Sequence, residues 1–192
     1  MRLHYVGKYN GDENSLPKRE HAANAVPFKE PSMKQLSIIA NAGCIITTIL
    51  LAIPFVLLAK EYFPSNTLSL ALAGIFGCSI IPVHELLHAI CFKNDVYYYT
   101  NLKRGLVFII GTESMSKTRF AIMSLLPNII LGFIPYVVFL FFPKMVFLGL
   151  FGLLCIGSGF GDYINVFNAL TQMPKGAKTY LNGFHSYWYI EN

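Results

Sequence analysis

The sequence predicts an all-α integral membrane protein with four transmembrane helices and a short cytoplasmic β-hairpin between the second and third. Three observations lead there. Of its 192 residues 54 % are hydrophobic and only 13 % charged, a composition outside the range of soluble globular chains. Four stretches, residues 35–59, 68–92, 120–142 and 145–170, reach the length of about 20 residues that crosses hydrocarbon. Thirteen of the fifteen Lys and Arg residues fall on one side of that four-span arrangement, which places both termini and the central loop in the cytoplasm. The net charge of +5 follows from this asymmetry, so the expected partner of the basic segments is the lipid bilayer and no nucleic acid is called for.

The elements follow in order. Residues 1–34 hold Asn10-Gly11-Asp12-Glu13-Asn14-Ser15 and three prolines, which suits an irregular cytoplasmic arm. That segment has no apolar core and does not read as a secretory signal. Residues 35–170 form the membrane domain, with nothing to indicate a second folded domain. Its third and fourth spans are joined by Pro143-Lys144 and must form a tight hairpin. Within it, Val96-Tyr97-Tyr98-Tyr99-Thr100 and Leu106-Val107-Phe108-Ile109-Ile110 are β-branched and aromatic, and residues 101–105 between them supply turn chemistry, so a β-hairpin is expected at about 96–110. Its exposed edge offers a place for an extended peptide. Residues 171–192 are read as a cytoplasmic tail. The four cysteines lie in the apolar spans, and no disulfide framework is expected.

The chemistry concentrates in His84-Glu85-Leu86-Leu87-His88, near the end of the second span. Imidazoles four residues apart share one helical face, with the glutamate within reach of anything they bind. This is the His-Glu-x-x-His arrangement of zinc hydrolases. Three ionisable groups in hydrocarbon cost several kcal/mol unless they face protein, water or a metal. A catalytic zinc takes three protein ligands and keeps one position for water, so a third is needed from Asp162, Glu113 or His185. Asp162 is favoured because His84, Glu85, His88 and Asp162 are the acid and imidazole side chains of the four apolar runs. Helical rise also puts His84 and Asp162 at about the same depth. The glycines at 157, 159 and 161 permit close helix approach or a local break beside Asp162.

With these residues in view, the chain resembles the site-2 type of intramembrane zinc metalloprotease and, more narrowly, the DUF3267 family of zincin peptidases, small and mostly bacterial membrane proteins. The resemblance rests on the His84–His88 motif inside a span, the cytoplasmic hairpin after it and the late Gly161-Asp162. The site-2 pattern around the third ligand, an Asn-Pro stretch leading to Leu-Asp-Gly, is replaced here by Phe160-Gly161-Asp162-Tyr163-Ile164-Asn165, and Pro127-Asn128 stands on a different span.

The resulting expectation is a multi-pass protein of a bacterial cell membrane that binds zinc through His84, His88 and Asp162. It would hydrolyse peptide bonds of a membrane protein or peptide, with Glu85 as general base. Asn128, Asn165 and Asn168 are candidate contacts to substrate backbone, or else interhelical hydrogen-bonding groups. A non-catalytic zinc-binding chaperone or regulator is the alternative, against which the intact Glu85 speaks. For the topology, reporter fusions at the C-terminus are expected to read as cytoplasmic and fusions at Lys60 as external; the opposite pattern would remove the depth match between His84 and Asp162.

Overall fold

The computed structural model describes residues 1–102 and 105–191. The described chain folds as β1 (Arg2–Lys8), β2 (Val26–Pro27), α1 (Met33–Ala59), α2 (Thr67–Ser79), α3 (Ile81–Ala89), β3 (Asp95–Asn101), β4 (Leu106–Ile110), β5 (Met115–Ser116), α4 (Lys117–Pro127), a π-helical stretch (Asn128–Phe133), α5 (Ile134–Phe141), α6 (Val146–Ser158), α7 (Phe160–Gln172), β6 (Lys178–Asn182) and β7 (His185–Tyr189). It divides into two compact units, one of Pro31–His84 and Leu125–Ile164, the other of residues 1–30, 85–124 and 165–192. The division falls inside α3, α4 and α7. The aromatic strands bury a core of their own, which hydropathy read over the spans does not register.

The first unit is a helical bundle. Among the described residues two helical segments, Met33–Tyr62 and Lys117–Phe141, are long and apolar enough to cross a membrane, and up to four spans result if each of two bent pairs counts as one. The bends, 50° between Pro64–Ser79 and Ile81–Ala89 and 49° between Val146–Ser158 and Phe160–Gln172, have identifiable causes. Pro82 cannot donate to the carbonyl of Cys78 and its ring crowds it. Gly159 ends α6 where a side chain would not fit. In α1 only Gly43, Phe55 and Ala59 are buried, while Ile38, Ile45, Ile49, Leu50, Ile53 and Leu57 are more than half exposed, an aliphatic surface suited to lipid tails. The helix starts at a capping box in which Ser32 accepts from the Gln35 amide and Gln35 reaches back to Ser32 N–H. Phe55, Tyr136, Phe139, Val146, Leu153 and Ile156 form the bundle core. Helices approach closely at glycines: a Cβ on Gly152 would lie 2.7 Å from Tyr136 N and 2.9 Å from Gly132 O.

The second unit carries two sheets, ordered β1-β3-β4 and β2-β7-β6-β5. The hairpin β3–β4 forms as expected, antiparallel from Tyr97↔Ile110 to Asn101↔Leu106, with Gly105 at φ +64°. Lys103 and Arg104 of the expected turn lie outside the described residues. An all-α fold with one hairpin is corrected by seven strands among the described residues. The irregular arm is corrected as well: β1 pairs in parallel with β3, with a bulge between Tyr5 and Gly7, and Val26–Pro27 pairs with β7. Leu3, Tyr5 and Val6 supply local strand propensity, and the free edge of β3 recruits them. Tyr9, Leu16 and Phe28 then bury their side chains, anchoring an arm whose average composition reads as unstructured. The tail turns back as the hairpin β6–β7 through Gly183 at φ +65°, the conformation that a two-residue loop needs.

Gly152→Ala is expected to destabilise the bundle by about 1–3 kcal/mol, because backbone atoms cannot move aside for the new methyl. Gly161→Ala, with nothing within 4 Å of the new Cβ, is expected to be neutral or stabilising; thermal unfolding in detergent compares the two.

Candidate metal centre

The α3 helix begins directly after the bend, and its first turn closes with His84 N–H donating to Ile80 O at 3.0 Å. One turn on, His88 lies on the same face. The ligand atoms of His84, Glu85 and His88 all lie within 4.8 Å of one another, as i, i+1 and i+4 on one short helix allow. His84 and Glu85 are half-buried and His88 is buried.

Each of these side chains is held by a polar partner. His84 Nε2 lies 3.1 Å from Asp162 Oδ2, so the two groups placed at one depth by helical rise meet in space. Asp162 is in the first turn of α7, where the positive end of the helix dipole favours a carboxylate. Asn128 donates from Nδ2 to the same Asp162 oxygen at 2.7 Å. His88 Nδ1 is 2.8 Å from Met123 O; a carbonyl only accepts, so Nδ1 carries the proton and Nε2 is the ring nitrogen with the lone pair. Glu85 Oε2 accepts from Ile109 N–H at 3.1 Å, which sets the carboxylate against an edge strand of the first sheet.

The other third-ligand candidates are engaged elsewhere. Glu113, its side chain 5 % exposed, pairs with Arg119 at 2.5 Å and accepts from Lys93 N–H at 2.7 Å and Asn94 N–H at 2.8 Å. Arg119 in turn donates to Cys91 O, so this ion pair ties down the chain that leaves α3. His185 stands 3.5 Å from Glu30. Of the asparagines, Asn128 is fully buried and makes the interhelical hydrogen bond to Asp162 that was one of its two expected roles. Asn165 is exposed on α7, and Asn168 accepts from Gln172 at 3.1 Å. Cys91 packs beside the Phe92, Val96 and Met123 cluster as a small apolar residue.

The family model for DUF3267, described as "Putative zincin peptidase", matches residues 77–178. The chain belongs to the DUF3267 family. Neither a curated protein nor a solved structure matches it. The zincin description of DUF3267 implies zinc, and the chemistry of His84, Glu85 and His88, with the Asp162 carboxylate beside His84, suits that metal. Neutral imidazole and carboxylate are ordinary zinc ligands. Two donors on a tetrahedral zinc stand about 3.3 Å apart, close to the 3.1 Å between His84 Nε2 and Asp162 Oδ2. The matched segment of DUF3267 takes in α3, the hairpin β3–β4, Pro127-Asn128 and Asp162.

Burial opposes the charge on Glu113, yet the two backbone N–H groups and Arg119 outweigh it and hold the carboxyl below its ordinary value of 4.5. A carboxyl depressed on folding stabilises above its unfolded value and loses that contribution as pH falls through the folded one. Glu113→Gln is therefore expected to cost about 1.5–3 kcal/mol at pH 7, with the difference from the parent protein shrinking below pH 4.5. Unfolding titrations at a series of pH values measure it.

Proposed function

We propose that the protein is a membrane-embedded zinc metalloprotease that hydrolyses peptide bonds of a membrane protein or peptide. The meeting of His84 with Asp162 at 3.1 Å, one helical turn from His88, is the observation that carries this reading. In it His84, His88 and Asp162 hold the metal and Glu85 is the general base. Family membership supports a zinc peptidase in general, and the aliphatic exterior of α1 supports a membrane setting. The basic residues favour a site facing the cytoplasm, with both termini on that side.

Bound to these ligands, zinc lowers the pKa of a water toward neutrality and polarises the scissile carbonyl. Glu85 takes the proton from the attacking water as the oxygen–carbon bond forms, then returns it to the amine as the carbon–nitrogen bond breaks. The Ile109 amide holds the Glu85 carboxylate in one orientation, which reduces the reorganisation needed at proton transfer. The same contact aligns the base with β4, the outer strand of its sheet. An extended peptide that adds to this edge through backbone hydrogen bonds would bring successive peptide groups past Glu85. Asn165, exposed on the α7 face three residues beyond Asp162, is available to a substrate backbone.

Purified protein is expected to hold about one zinc per chain and to lose it in His84→Ala, His88→Ala and Asp162→Ala; full retention of zinc by Asp162→Ala would displace that residue from the ligand set. Glu85→Gln is expected to keep fold and metal while cleavage of a membrane substrate falls by about 10²–10⁴-fold, the usual contribution of a general base. A cellular phenotype that survives Glu85→Gln but disappears with His84→Ala would instead establish the non-catalytic zinc-binding role.

A further inference from the structure

We infer that Pro127 and Asn128, adjacent residues on the third apolar segment, form a positioning pair that orients two of the three metal ligands; this rests on the zinc assignment above. Pro127 acts through what it lacks. In a helix the N–H of residue 127 would donate to the carbonyl of Met123, four positions back, but proline has no N–H. The released Met123 carbonyl receives His88 Nδ1–H at 2.8 Å. That bond fixes the imidazole tautomer and ring plane and directs Nε2 to the metal, the role that second partners of metal-bound histidines usually have.

Asn128 acts through its amide. It follows Pro127 at the start of the π-helical stretch Asn128–Phe133, where the wider turn interrupts the regular helical spacing; such insertions are frequent at functional sites. The side chain has no exposed surface. Its Nδ2 donates to Asp162 Oδ2 at 2.7 Å, and its Oδ1 is 3.3 Å from the Tyr163 hydroxyl, which also lies 3.0 Å from Ile156 O. A carboxylate can only accept, so the amide must turn its NH₂ toward Asp162, and the hydroxyl suits the oxygen left on the other side. Space for this comes from Gly159: a Cβ there would stand 1.5 Å from Asn128 Oδ1. One dipeptide and one glycine thus set the orientation of both His88 and Asp162.

The test is zinc affinity, measured by chelator competition on purified protein, alongside thermal unfolding of the metal-free form. Pro127→Ala returns a backbone donor to Met123 O, so the helix is expected to become more stable while zinc affinity falls about 10- to 100-fold, the usual effect of losing a ligand's supporting partner. Opposite signs in stability and affinity are what a merely structural proline would not produce. Asn128→Leu, similar in size but without a donor, is expected to lower zinc affinity by the same range. Gly159→Ala should lower both affinity and stability, and adding Asn128→Ala should restore the stability without the affinity. Zinc affinity within about 2-fold of the parent in both Pro127→Ala and Asn128→Leu, with Asp162→Ala losing the metal, overturns the positioning role and leaves the ligand assignment standing. Retention of zinc by Asp162→Ala overturns both.

Discussion

An acid or imidazole group carried on an apolar helix costs several kcal/mol inside a bilayer unless neighbouring groups satisfy it. His84, Glu85, His88 and Asp162 are in that position, and the arrangement around them follows from it. His84 meets Asp162, Asp162 receives the Asn128 amide, His88 bonds to a main-chain carbonyl and Glu85 to a main-chain amide. The bends serve the same need. One falls directly before α3 and the other directly before α7, so that His84 and Asp162 both stand in the first turn after a break. Continuous helices would bond their own backbone groups internally and leave the side chains fewer polar partners.

Prolines and glycines achieve this by removing something. Pro82 removes a donor at the start of α3, Pro127 removes one opposite Met123 O, and Gly159 removes the side chain that would occupy the place of Asn128. Pro82 and Gly159 stand at helix ends, where such residues are tolerated, whereas Pro127 lies inside its helix. Interior proline costs about 3 kcal/mol and glycine about 1 relative to alanine. Such losses persist where another interaction offsets them, and here the freed carbonyl is bonded by the candidate ligand His88 and the freed space is filled by Asn128, which touches Asp162.

What the sequence discloses divides along physical lines. The apolar runs, the face shared by His84 and His88, the hairpin β3–β4 and the pairing of Asp162 with His84 are legible because hydropathy, helical period and charge scarcity are properties of the chain itself. The strand β1 is not, because its partner β3 lies more than ninety residues away and Asn10–Ser15 dominates the composition of the arm. The hairpin β6–β7 carries its own signal, Asn182-Gly183 between Tyr180 and Tyr187-Trp188-Tyr189, which a reading led by spans passes over. Asn128 is visible as a polar residue in an apolar run, but its partner is not, since the π-helical stretch changes which way the side chain points. The effect of Pro127 is hidden for a related reason: it acts on a carbonyl, and backbone carbonyls are the same at every position.

The position of Glu85 weighs on whether the centre reads as hydrolytic or structural. A structural zinc closes all four positions with protein ligands, whereas a catalytic one keeps a position for water. His84 and His88 share a face, and the Glu85 carboxylate lies within 4.8 Å of their ligand atoms, near enough to reach a water on a metal they would hold. The Glu85 carboxylate is, moreover, held by Ile109 N–H on the outer strand of a sheet. A fourth ligand would need that carboxylate turned onto the metal; a base needs it beside the water, with its second oxygen steadied. The backbone contact suits the second arrangement, the one that the proposed hydrolysis requires.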